Sequence, residues 1–151
     1  LEGGAAVVEQ IRAIVDAGIP VQAHIGMTPQ SVNAFGGFKV QGKGEEGAAR
    51  VLADAMAVQA AGAFAVVLEC VPPKLAALIT RKLDIITIGI GAWAACDGQV
   101  LVIHDMLGIN KGFSPRFLRR YADLHTVMTG ALEQYVRDVK ECDFPNETEQ
   151  Y

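Results

Sequence analysis

A chain of 151 residues, 51% hydrophobic and 20% charged, has apolar surface for one sizeable core and too little for two, so a single domain over residues 1–151 is expected. The formal net charge is −4 and the cations are mostly scattered, Arg119-Arg120 among the few adjacent ones, leaving no basic patch for a phosphate backbone and excluding nucleic acid as a partner. Apolar runs are broken well short of the roughly 18 residues of a membrane span, and Cys70, Cys96 and Cys142 lack the C-x-x-C spacing of a zinc or redox site, which points to reduced thiols in a cytoplasmic protein with no membrane partner.

The chain opens on Leu1-Glu2-Gly3-Gly4, with neither an initiator Met nor a signal peptide, as if in mid-sequence. Val7, Ile11, Ile14 and Val15 then recur at helical spacing, and Gly18 before Pro20 suits a helix C-terminus, so a helix is predicted over about 5–17. Residues 20–25 read as a short strand whose last polar residue is His24. The stretch 26–45 is rich in glycine but carries Val32, Phe35, Phe38 and Val40, the mark of a long structured loop of the functional kind.

A helix through Ala48, Val51, Leu52, Ala55, Met56 and Gln59 leads to a second strand, 64–69, that ends on Glu69. A third helix, 73–82, has Pro in its first turn, and residues 85–88 form a third strand ending at Gly89. A fourth strand is predicted over 99–104, ending in His104-Asp105, and Ser114-Pro115 carries a helix-start signature. Met128, Ala131, Leu132, Tyr135, Val136 and Val139 mark a final amphipathic helix, followed by a polar surface tail from Asp143 to Tyr151.

Short continuous apolar strands alternating with helices indicate a parallel sheet buried on both faces, hence an α/β fold. An open doubly wound sheet and a barrel are both compatible with this pattern, and either binds ligands at the strand C-terminal ends, where His24, Glu69 and His104-Asp105 fall. An acid ending a buried strand must be satisfied by a metal, a cation or a proton, and burial would suit it to general-base work. The other reading of Glu69 is an exposed acid just past the strand, bonded to a backbone amide. His24 likewise fits either an anionic substrate or a hydrogen bond to a neighbouring loop. Gly89-Ile90-Gly91-Ala92-Trp93-Ala94 fits a relaxed dinucleotide fingerprint in letters, but a strand follows where that motif needs a helix. Its glycines better suit a tight turn at a site mouth, with Trp93 either a lid or an ordinary buried aromatic.

E-G-G at 2–4, H-I-G-M-T-P-Q-S-V-N at 24–33, F-G-G-F-K-V-Q-G-K at 35–43, L-E-C-V-P at 68–72, I-G-I-G-A at 88–92 and D-G-Q-V-L-V-I-H-D at 97–105 together resemble the ketopantoate hydroxymethyltransferase family over the whole chain. The resemblance implies a (β/α)8 TIM barrel, of which this chain covers about the last four strand-helix units, in a homo-oligomer that is usually a decamer. It implies transfer of a one-carbon unit from 5,10-methylenetetrahydrofolate to 3-methyl-2-oxobutanoate through an enolate stabilised by Mg²⁺. On the same basis Glu69 is the catalytic base, Glu2 a metal ligand and His24 a residue of the substrate pocket.

Two departures accompany the match. The family's first half supplies two Asp metal ligands, an Asp-Ser substrate contact and a Lys two positions before Glu2; the expectation is a half barrel completed by that missing N-terminal half. Trp93-Ala94-Ala95 stands where Gly and small or polar residues are common, and an indole there would obstruct the folate or the substrate. A phosphoenolpyruvate mutase or isocitrate lyase relative shares the barrel and the chemistry, but its K-K-C-G-H loop is lacking. A catalytically incomplete half barrel or assembly subunit is the non-enzymatic alternative.

Overall fold

Four parallel strands, paired in chain order, organise the first of the two units into which the chain divides, residues 1–100 and 101–151. The computed structural model of the protein describes residues 1–34 and 36–151; Phe35, one of the apolar residues expected in the long loop, lies outside the described residues.

In the first unit β1 is Gln22–Gly26, β2 Ala65–Glu69, β3 Ile86–Ile90 and β4 Gly98–Gln99. The expected α/β alternation is present: helix α1 (Val8–Asp16) precedes β1, α2 (Gly44–Ala60) joins β1 to β2, and α3 (Pro73–Lys82) joins β2 to β3. Helix α1 ends as its sequence predicts, with Gly18 N donating to Val15 O and Ile19 N to Ile14 O, the paired bonds of a Schellman turn. Helix α3 begins at Pro73, whose missing N–H costs nothing in a first turn.

Register decides which residues share a face, because side chains alternate along a strand. Ala23, Val66 and Thr87 are aligned across the three strands, as are Ile25, Leu68 and Gly89. The apolar members of these rows pack with Ile11 of α1, Val51, Ala55 and Val58 of α2 and Ala76 and Ile79 of α3 in one core cluster. Burying each Leu, Ile or Val there is worth about 1.5–3 kcal/mol relative to exposure. The intervening row, His24–Val67–Ile88, faces the other way and lies outside that cluster.

The fourth predicted strand is corrected. Only Gly98 and Gln99 pair with β3, after which Val100 N donates to Gly89 O and the ladder stops. The partner strand ends at Ile90, and among the described residues the apolar run beyond it pairs with no strand; Ile103–Met106 closes instead into a short helix, α4. A short apolar run is ambiguous between strand and helix, and here the available partner decided.

In the second unit, α4 and α5 (Leu124–Lys140) are the helices. The helix expected at Ser114-Pro115 does not form. The Arg120 guanidinium donates to Asn110 O and Phe113 O, and Tyr121 N to Met106 O, so this stretch is held open by partners distant in sequence. The helix begins later, where Asp123 accepts from Thr126 N and Thr126 Oγ1. Helix α5 carries the predicted stripe, with Met128, Leu132, Tyr135, Val136 and Val139 all exposed. No helix among the described residues is long and apolar enough to cross a membrane.

Candidate functional site

Three ionisable residues expected to carry chemistry come together on the face of the sheet away from the helices. Glu2 reaches it because the first residues of the chain extend along β1: His24 N donates to Leu1 O, Gly3 N donates to His24 O, and Glu2 and His24 form a parallel bridge. His24 lies within β1. Glu69 ends β2, two residues beyond Val67, the partner of His24, and so falls diagonally across from the imidazole on the same face.

The imidazole bridges the two acids. His24 Nε2 is 3.1 Å from Glu69 Oε2, and Nδ1 is 3.7 Å from Glu2 Oε1. The side chains are 18%, 12% and 23% exposed for His24, Glu69 and Glu2, so water competes little for any of them. Nε2 is enclosed and, despite the short distance to Glu69, its N–H direction does not meet that oxygen in a hydrogen bond. The other oxygen of Glu2 is occupied, since Gln30 N donates to Oε2 at 3.1 Å.

Glu69 is thus not exposed, and among the described residues no backbone amide caps it. It is the partly buried acid of the first reading, with an imidazole as its neighbour. Its main chain is equally engaged, because Met27 N donates to Glu69 O at 2.9 Å, just where the long loop departs from β1. Gly26 makes that approach possible: its φ is +92°, and a Cβ there would stand 2.3 Å from Glu69 O. Cys70 follows at φ +50° and returns the chain, its N–H donating to Ile90 O and its carbonyl accepting from Gln41 N. The long loop is therefore tied to the end of β2 at both of its ends and to Glu2 through Gln30.

Burial first, and the adjacent Glu69 charge second, push the Cys70 thiol above its ordinary value, so it is a poor thiolate nucleophile. All three cysteines are free. His104, expected at a strand end, is exposed on α4, while the buried Asp105 accepts from Asn110 Nδ2. Trp93 is not a buried aromatic: it is 68% exposed, at φ +76°, with its carbonyl accepting from Gln99 Nε2.

Sequence reasoning missed two things. One is the direct His24 contact with both acids. The other is a polar anchor behind β3, where Asp97 Oδ2 accepts from Thr87 N and Thr87 Oγ1, and Thr87 Oγ1 accepts in turn from Asp97 N. A Thr in an otherwise apolar strand, followed ten residues later by an acid before the next strand, was the available signal.

Among the described residues no group of three His, Cys, Asp or Glu is arranged to hold a metal ion. Glu2 offers a single hard carboxylate. That fits Mg²⁺ as one ligand of several, since this ion is held by one or two carboxylates together with substrate and water. The Glu2–His24–Glu69 row sets three ionisable side chains near a strand C-terminal end, the place from which α/β enzymes work.

A model of the ketopantoate hydroxymethyltransferase family matches residues 1–147. The chain is similar to proteins named 3-methyl-2-oxobutanoate hydroxymethyltransferase: 57% identical over 151 residues to that of Phocaeicola vulgatus, covering 100% of this chain and 55% of the relative. With that of Geobacter sulfurreducens the identity is 60% over 147 residues, covering 97% and 55%. With that of Enterococcus faecalis it is 59% over 145 residues, covering 96% and 53%. The chain spans about half the length of these curated relatives. With nearly its whole length matched, and with the motif residues His24 and Glu69 brought side by side, this chain belongs to the ketopantoate hydroxymethyltransferase family.

Proposed function

We propose that the chain forms the last four strand-helix units of a (β/α)8 barrel that transfers a hydroxymethyl group from 5,10-methylenetetrahydrofolate to 3-methyl-2-oxobutanoate, giving 2-dehydropantoate. The parallel sheet in chain order and the family match support this reading. The observation that carries it is Glu69, a carboxylate at the end of a buried strand, held against an imidazole and nearly closed to water.

In this reading Glu69 takes the proton from C3 of the keto acid. Enclosure keeps water from competing for the carboxylate, and His24 packs beside it. Glu2, anchored by Gln30 N, contributes one carboxylate toward Mg²⁺, the remaining ligands coming from the other half of the barrel. The ion when bound would draw electron density from the ketone and make the C3 proton easier to remove. The complete particle is a cytoplasmic homo-oligomer, a decamer by family resemblance.

The test is proton NMR of 3-methyl-2-oxobutanoate in D₂O with Mg²⁺ and the complete native enzyme, without folate, following the C3 proton signal. Exchange is expected, and Glu69→Gln should slow it by about 10²–10⁴-fold. Exchange at the native rate in that variant would remove Glu69 from the role of base.

A further inference from the structure

Both ring nitrogens of His24 face carboxylates of the protein, Nε2 toward Glu69 at 3.1 Å and Nδ1 toward Glu2 at 3.7 Å. A residue whose chief task is to grip a substrate anion would turn a nitrogen toward open space. Here Nε2 is enclosed and lies 3.1 Å from Glu69 Oε2, a close contact with no aligned hydrogen bond. The backbone of His24 is fixed as well: its N–H and C=O are both taken by residues 1–3, and it sits in register between Glu2 and Val67. The ring is consequently held on a rigid strand, whereas Glu69 has side-chain torsions to immobilise between Gly26 of β1, which offers no side chain, and Ile90 of β3, whose apolar side chain cannot bond a carboxylate.

We propose that His24 is a positioning residue for Glu69: it fixes the orientation of the base carboxylate, and it acts on the reaction through Glu69 and not through contact with the keto acid. The proposal rests on the assignment of Glu69 as base made above. Its physical content is that an unsupported carboxylate at the end of a strand samples several rotamers, of which few aim an oxygen at the C3 proton, and a misplacement of about 1 Å can cost 10²-fold in rate.

The experiment is a double-mutant cycle on the complete native enzyme, reading the C3 exchange rate at saturating keto acid and, separately, the keto-acid concentration giving half-saturation. His24→Ala should lower the saturating rate by roughly 10- to 100-fold while the half-saturating concentration moves less than about threefold. His24→Gln, which retains an N–H donor at similar reach, should recover part of the rate, and it supplies the same comparison if the Ala variant does not fold. In a Glu69→Gln background, His24→Ala should cause no further loss, because the group it positions has gone.

A weakened half-saturation with an unchanged saturating rate would overturn the proposal and make His24 a substrate ligand. A full further loss in the Glu69→Gln background would also overturn it. Failure of the underlying reading looks different, since Glu69→Gln would then exchange at the native rate before His24 is touched.

Discussion

Thr87 and His24 are both polar residues within the same parallel sheet, one register position apart and therefore on opposite faces. Thr87, fully buried, has its amide and its hydroxyl bonded to Asp97, and its oxygen lies 2.9 Å from Thr80 Oγ1. His24 is set between two acids, and its enclosed Nε2 has no aligned partner among the described residues. A buried polar group with its bonds complete stabilises a fold, whereas one left short is held there by the surrounding structure and is available for chemistry. The same sheet thus separates a fully bonded polar cluster on the helix side from an incompletely bonded one on the other.

Breaking the satisfied cluster should produce the largest change in stability. Thr87→Val keeps the volume but strips the hydroxyl from Asp97 and Thr80, and should lower unfolding free energy by about 2 kcal/mol in urea titration. Under the proposed function, the complete enzyme's affinity for keto acid should be left near native. A loss of affinity larger than the loss of stability would show that the two faces are coupled.

Asp97→Asn should destabilise less at neutral pH, because the residue is exposed and its amide can still accept from Thr87. Its effect should appear with acid. The backbone N–H of Thr87, and then its hydroxyl, hold the Asp97 carboxyl below the usual carboxylate range. A depressed folded-state value gives stability that is present above the unfolded value, near pH 4, and is lost as pH falls through the folded one. Thermal melts from pH 6 down to 2 should therefore show a shallower acid loss in Asp97→Asn than in the native protein.

The smallest effect should have the opposite sign. Trp93 stands at φ +76° in the loop that Asp97 and Gln99 pin, a conformation that strains an aromatic residue. Trp93→Gly should stabilise the protein by roughly 0.5–1 kcal/mol, the relieved strain less the chain entropy that glycine adds. No gain would mean that the exposed indole makes favourable contacts in the complete enzyme that offset its backbone.

Much of the first unit was legible in the residues themselves. Helical spacing with Gly18 and Pro73 as punctuation located α1 and α3, and continuous runs of Val, Ile and Leu located β1 to β3, because burial on a two-sided core demands those patterns. The motifs around His24 and Glu69 also pointed to the family that the comparison with known proteins shows.

What tertiary structure alone decided were the partners. Whether the run after Gln99 continued as a strand depended on where β3 ended, and whether residues 114–123 became helical depended on what Arg120 and Tyr121 could bond. That Glu2, twenty-two positions before His24, would lie against β1 beside it was equally invisible in the order of residues. Local pattern reports how one segment hides its apolar surface; a hydrogen bond or an ion pair needs a second group brought from elsewhere in the chain, and only the folded register supplies it.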